Sequence, residues 1–305
     1  MTPRAPHLRL TFTLALTLVL SLTAEDASAI ITRDDVDDSH YVVADDDYPA
    51  LVDLFEPGDC IGTLIHPSYL LTVAHCAVDL TSTTTLTIAG VEHPVAEVQL
   101  HPEWRDGDSF DIALIRLAEP VPAITPLRIY RGSEELGAIV TLLGRGVTAT
   151  GLTGEPGAES DGKLRRATNV VTAANDHVLQ FVFEPAEAGT DLEGVGAAGD
   201  SGCPVLLDVN GEPQVAGLNA FGDADPGVAI GQYASRDYQT RVSRFAGWLD
   251  EHVDLTPTPN PTTREAAGCA VSARPPSSSA WLAALLLACV FTLRRLHAPP
   301  RNPLG

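Results

Sequence analysis

From Tyr41 onward the chain is a succession of short apolar runs broken by Gly, Pro and Asp: YPALVDLF, GTLIHPSYLLTVA, TTTLTIAG, VEHPVAEVQL, FDIALIRL, LGAIVTLLG, ATNVVTA, HVLQFVFE, CPVLLDV and PQVAGLNAFG. Runs of this length carry the signature of strands, and no helical period separates them. The pattern therefore predicts an all-β sandwich or barrel and excludes an alternating β-α-β architecture. One segment differs. VSRFAGWLDEHV, residues 242 to 253, places Val242, Phe245, Trp248 and Leu249 on one face and predicts a short helix near the end of the domain.

The two ends do not follow this pattern. Residues 1–29 carry His7 and Arg9, then the apolar run LRLTFTLALTLVLSL, then AEDASA, the three-part layout of a secretory signal peptide with cleavage expected after Ala29. Residues 256–279 are rich in Pro, Thr and Ser and read as a linker that cannot bury enough apolar surface to order itself. Residues 280–305 hold a short apolar run, AWLAALLLACVFTL, followed by Arg294 and Arg295. At ~1.5 Å per residue that helix falls short of a ~30 Å hydrocarbon core, which favours a processed membrane signal over a permanent span. The domain between the ends covers residues 30–255, long enough for a substantial core.

Composition narrows the partners. A net charge of -21, from 40 acidic and 19 basic residues, argues against nucleic acid and against anionic lipid, leaving membrane contact to the tail alone. The acidic runs DDVDD and DDD lack the ligand spacing of a calcium loop and read as solvated surface, so neither metal nor cofactor is expected. Export permits disulfides, and the five cysteines are Cys60, Cys76, Cys203, Cys269 and Cys289. The last two lie in the tail. Among the other three at most one bridge can form, and Cys60 with Cys76 closes the shortest loop.

AAGDSGCPV places Ser201 between Gly, Asp and Gly, a composition that suits a turn but also suits a nucleophile. A serine hydroxyl becomes nucleophilic only when an imidazole takes its proton, and the imidazole needs a carboxylate to hold its tautomer. LLTVAHC offers His75 at the end of a strand, and FDIALIRL offers Asp111 at the head of another.

The blocks TVAHC, DIALIRL and GDSGCP, in that order, resemble the trypsin-like (chymotrypsin-fold) serine proteases, and YPALVDL, GLNAFG with PGV, and RVSRFAGWL extend the resemblance over about residues 30 to 253. It implies two six-stranded antiparallel β-barrels with a short C-terminal helix, and a serine endopeptidase acting on protein or peptide substrates. It implies Ser201 as nucleophile, His75 as general base then acid, Asp111 as the residue orienting His75, and the N–H groups of Gly199 and Ser201 as the oxyanion hole. It also implies an activation pair between a freed Ile30 amine and Asp200, in which case signal peptidase itself generates the active form. The chain departs from the family's usual Ile-Val-Gly-Gly, reading IITR from Ile30.

Further departures surround the substrate pocket, expected from Val195, Ala220, Phe221, Gly222 and Gly227. Val195 stands six residues before Ser201, where trypsins carry the aspartate that selects Arg or Lys, so an apolar or relaxed preference at P1 follows; Glu193, two residues earlier, would restore a basic preference if the alignment slipped. Ala197 replaces one cysteine of the disulfide that normally flanks this pocket. Cys203 stands where the family has glycine, and is expected as a buried small hydrophobe. The tail resembles the myxobacterial C-terminal sorting signal, with Gly268 and Cys269 as its Gly-Cys pair, implying sorting machinery as a partner and retention at the outer cell surface. The competing reading is a non-catalytic binding module displayed on a protease fold.

Overall fold

The computed structural model describes residues 30–255 apart from 106 and 108. The expected signal peptide, the linker, Gly268, Cys269 and the apolar tail lie outside the described residues. The chain divides into two units, Met1–Leu255 and Thr256–Gly305, and the fold belongs to the first. Among the described residues no helix is long and apolar enough to cross a membrane.

A two-residue strand β1 (Ile31–Thr32) opens the fold. The first sheet follows, from β2 (Leu51–Asp53), β3 (Ile61–His66), β4 (Tyr69–Thr72), β5 (Thr85–Ile88), β6 (Val91–Leu100) and β7 (Ala113–Leu117). It is antiparallel throughout in the order β2-β3-β4-β7-β6-β5, and its end strands β2 and β5 approach one another, so the sheet curls on itself. The second sheet is built from β8 (Arg128–Ile129), β9 (Ile139–Gly144), β10 (Arg165–Val170), β11 (Ala173–Ala174) and β12 (Val178–Val182), continuing after β13 (Gly194–Val195) with β14 (Pro204–Val209), β15 (Glu212–Asp223) and β16 (Arg236–Arg241). Six strands run in the order β10-β9-β14-β15-β16-β12; the two-residue β11 extends this path, and β8 lies parallel to β15. The architecture is the expected all-β pair of curled antiparallel sheets, with β8 and β11 as additions.

Period-two burial accounts for many of these strands. In β5 only Leu86 and Ile88 are buried, and in β12 Leu179 and Phe181 face the core. One core gathers Ile61, Leu64, Leu70, Ile112, Leu114 and Ile115. Another gathers Val140, Leu142, Leu179, Phe181 and Val205, together with Ile30. The chain ends in a 3-10 turn, Val242–Phe245, and the helix α2 (Ala246–His252), whose Leu249 joins Val242 and Phe245 in the first core, as the apolar spacing of this segment predicts.

β16 is the strand that apolar patterning does not reveal. Its sequence is RDYQTR, and its buried positions are Asp237, Gln239, Thr240 and Arg241. It lies between β15 and β12, so its backbone groups are paired on both sides, and polar side chains are carried into the interior by the ladder rather than by hydrophobicity. Arg241 is answered by the fully buried Glu135, with Nη2 to Oε2 at 2.7 Å and Ser243 Oγ donating to Oε1 at 2.7 Å. Burial pushes Glu135 up, but its hydrogen bonds from Arg241 and Ser243 more than reverse this and leave its pKa below the usual value.

Cys60 and Cys76 are bridged, with Cα atoms 5.9 Å apart. The bond ties the entry to β3 to the short helix α1 (Ala74–Ala77), which carries His75. Its ends are 16 residues apart in sequence, and closing a loop of this size restricts the unfolded chain. Replacing both cysteines by alanine is expected to lower the unfolding free energy by about 3 kcal/mol, measured by urea denaturation against the wild-type protein.

Candidate active site

β4 and β7 pair antiparallel, with Thr72 opposite Ala113. His75 follows the end of β4 and Asp111 precedes the start of β7, so both emerge at the same end of one strand pair. There His75 Nδ1 lies 2.7 Å from Asp111 Oδ2, and the His75 backbone N–H donates to Asp111 Oδ1 at 2.9 Å. The Asp111 side chain is 5% exposed and the His75 ring 36%. With Asp111 ionised, Nδ1 must be the protonated nitrogen, which leaves the Nε2 lone pair free to accept a proton. Thr240 of β16 donates its hydroxyl to the Asp111 carbonyl at 2.8 Å, fixing the carboxylate's backbone from the other sheet.

Ser201 sits in a turn between two glycines, Gly199 at φ +93° and Gly202 at φ +79°. A Cβ at Gly199 would collide with the Gly58 carbonyl oxygen, and one at Gly202 with that of Ile61. The left-handed position is thus Gly202 and not Cys203, whose free thiol is fully buried in the first core without distorting the turn. Cys60 N–H donates to Gly199 O and Ile61 N–H to Ser201 O, clamping the turn against the first sheet. Neither the Gly199 nor the Ser201 N–H donates to another described residue, so both stay available as donors. No hydrogen bond joins Ser201 to His75 among the described residues, and in unliganded sites such bonds are commonly long until substrate draws them in.

Asp200 organises the turn from behind. It is fully buried; Oδ1 accepts the Gly146 N–H at 2.7 Å and Oδ2 accepts the Ala197 N–H at 3.0 Å. Burial pushes its carboxyl up to about 7, only partly opposed by these backbone donors. The expected partner, Ile30, is also fully buried, and Ile31 pairs with Val195 across β1 and β13. The 144–148 segment touches both groups, since Gly146 serves Asp200 and Thr148 Oγ donates to the Ile30 carbonyl at 3.3 Å.

A cleft of about 150 Å³ opens beside Ser201. Ala220, Phe221 and Gly222 line it, together with Gly196, Ala197, Asn219 and Ile230. Val195 does not; it is 2% exposed and packs with Ile31, Phe183 and Ala197. Gly227 lies apart from the lining, in an exposed turn at φ +97°. Glu193 is also remote, its carboxylate accepting the Thr190 N–H and hydroxyl at 2.7 Å each. Two acidic residues that motif reading missed are in the lining: Glu155 and Asp237. The available signal was the long stretch from Pro226 to Val242, too long to be only the return after GLNAFG.

A family model described as Trypsin matches residues 40–249. The chain belongs to the trypsin family. Over 216 residues this trypsin-family chain is 28% identical to chymotrypsin-like elastase family member 1 of the dog, Canis lupus familiaris, a match covering 63% of this chain and 80% of that one. Over 219 residues it is 26% identical to vitamin K-dependent protein C of the rat, Rattus norvegicus, a match covering 64% of this chain but 46% of that longer protein. The solved structure of neuropsin, a serine protease expressed in mouse brain, superposes with a TM-score of 0.56 at 19% identity, covering 70% of this chain and 98% of neuropsin, a likeness that carries the fold. Family membership makes the chain a serine-type endopeptidase, a hydrolase of protein or peptide substrates. The competing reading as a non-catalytic module gains no support from these relatives.

The raised Asp200 pKa has a stability consequence whose sign is fixed. A carboxyl held near 7 in the fold and near its ordinary 3.8 when unfolded favours folding while protonated, and that contribution disappears as pH rises through the interval between the two values. In protein whose chain still continues before Ile30, the unfolding free energy is expected to fall between about pH 4 and pH 7, and Asp200→Asn to flatten part of that fall. Urea midpoints across that range test it; superimposable profiles for the two proteins would disprove it.

Proposed function

We propose that this endopeptidase works through a His75-Asp111-Ser201 triad and an acyl-enzyme. The observation that carries the reading is the buried Asp111 carboxylate bonded twice to His75, which fits the tautomer that a general base at Nε2 requires. In the first half-reaction His75 Nε2 accepts the Ser201 proton as Oγ bonds to the scissile carbonyl carbon. The carbonyl oxygen gains charge and is held by the Gly199 and Ser201 N–H groups, each such donor being worth roughly 3 kcal/mol in the transition state. His75 then gives the proton to the departing amine as the C–N bond breaks. Water repeats the sequence against the Ser201 ester, releasing the acid and restoring the serine.

Activation by a new N-terminus belongs to the same proposal. Cleavage before Ile30 would create an ammonium beside a region where Asp200 is buried without a cation, and the pairing would draw its carboxyl back toward the ionised form. Ile30 is β-branched and sits at φ +63°, a conformation costing on the order of 1–3 kcal/mol, and φ at this residue is set by the peptide bond that cleavage removes. Export, with signal peptidase as the activating partner, agrees with the secreted character of the relatives; sorting through Gly268 and Cys269 and retention at the cell surface remain parts of the proposal.

Mature protein treated with a serine-directed fluorophosphonate is expected to gain one adduct by intact mass, absent in Ser201→Ala. Ser201→Ala should lower kcat by roughly 10⁶-fold, and Asp111→Asn by roughly 10⁴-fold through the wrong imidazole tautomer. Turnover at the wild-type rate in either variant overturns the triad. An active protein whose first residue is not Ile30 overturns the activation step.

A further inference from the structure

Next to the His75-Asp111 pair lies a cluster of rings that takes no part in bond cleavage. Phe110, immediately before Asp111, has φ +59°. A bulky side chain in this left-handed region is strained and persists only where its surroundings hold it. The Ile112 N–H donates to the Phe110 carbonyl at 2.8 Å, which makes Asp111 the middle residue of a three-residue turn. The direction in which the Asp111 side chain leaves the backbone is therefore tied to the conformation of Phe110.

Two rings hold Phe110, one from each sheet's end of the domain. His101, which follows the end of β6, stacks on it with ring centroids 5.1 Å apart and planes 21° from parallel. The His101 N–H donates to the Ile112 carbonyl at 3.0 Å, and its Nδ1 accepts the Glu103 N–H at 3.3 Å, so backbone and ring are both fixed. Phe245 and Trp248 back the His101 ring at 5.3 and 5.2 Å. From the second sheet His177 meets Phe110 edge-on, with centroids 4.6 Å apart and planes at 66°, an arrangement that ring quadrupoles favour.

His177 is itself anchored. It lies in the turn between β11 and β12, where Asn175 Oδ1 accepts the His177 and Val178 N–H groups at 2.7 and 2.8 Å. Arg241 donates its backbone N–H to the His177 carbonyl and its Nη1 to the Asn175 carbonyl, both at 2.8 Å. Arg241 is in turn the partner of the buried Glu135. A continuous set of contacts thus runs from that ion pair through His177 and Phe110 to the turn that carries Asp111.

We propose that Phe110, gripped between His101 and His177, is a positioning residue that acts through Asp111 to set the His75 imidazole for proton transfer. This rests on His75 and Asp111 belonging to the triad. What it requires of His177 is a ring in contact, not a charge.

The test uses mature protein that already shows the single fluorophosphonate adduct on Ser201, so failure of the triad is recognised separately. Phe110→Ala, which removes the ring, is expected to lower kcat at least about tenfold with KM altered no more than about twofold, both corrected for the folded fraction by urea denaturation. His177→Ala, in a partly exposed turn, should lower kcat in the same sense and reads the contact even if Phe110→Ala does not fold. The double variant should lose no more than about twofold beyond Phe110→Ala alone, because both changes break one contact. His177→Phe, which keeps a ring against Phe110, should keep kcat within about twofold of wild type. In the Ser201→Ala background, the downfield proton resonance of the His75 Nδ1–H reports the hydrogen bond to Asp111 and should move or broaden on Phe110→Ala. Wild-type kcat in Phe110→Ala overturns the proposal, as does a loss confined to KM or to the folded fraction with that resonance unmoved. Losses that simply multiply in the double variant overturn the part assigned to His177.

Discussion

A carboxylate or guanidinium removed from water must be answered by hydrogen bonds or by an opposite charge, and the second sheet is arranged around that requirement. Glu135 is answered by Arg241 and Ser243. Arg165, completely buried, is held between Asp38 at 2.7 Å and Asp161 at 3.0 Å. Asp200 is met by backbone N–H groups, and Asp237 accepts the Gly196 N–H. The first two sites are complete within the described protein and act as structure. Among the described residues no cation pairs with either of the last two; Asp200 lies behind the turn that carries Ser201, and Asp237 lines the cleft beside it.

The proposed catalytic groups come from both sheets, so their relative positions depend on contacts that cross between them. His75 and Asp111 extend from the β4-β7 pair, while Ser201 belongs to the turn leading into β14. Three hydrogen bonds link the parts: Cys60 to Gly199, Ile61 to Ser201, and Thr240 to Asp111. Each is worth only about 1 kcal/mol net. Apolar packing therefore provides the stability, and these bonds provide the register. Leu218 and Cys203, from the second sheet, pack in the same core as Ile61 and Leu64, so displacing one sheet would disturb the other.

The strands of the first sheet were legible as short apolar runs bounded by turn residues, with β5 alternating against a core and β6 matching the run VEHPVAEVQL from end to end. Ser201, His75 and Asp111 were legible because each stands in a short motif where neighbours constrain its role: glycines around Ser201, a strand end before His75, an apolar strand after Asp111. Of the residues expected around the pocket, Ala220, Phe221 and Gly222 line the cleft and two do not. Val195, chosen by counting back from Ser201, is occupied by β1, and Gly227, chosen from the PGV tripeptide, turns outward before the strand that lines the cleft begins. RDYQTR carries none of the apolar periodicity by which strands are recognised, since its inward residues are held by ladder bonds and by polar partners.

The sequence by itself determined the class of fold, the pairing of Cys60 with Cys76 and the identity of the candidate nucleophile, base and orienting acid, because apolar alternation and local motifs act over a few residues. Only the tertiary structure decided which acids line the cleft beside Ser201, because Asp237 reaches it by pairing with Gly222 across the β15-β16 ladder and by accepting the N–H of Gly196, 41 residues away, relations that no local pattern records.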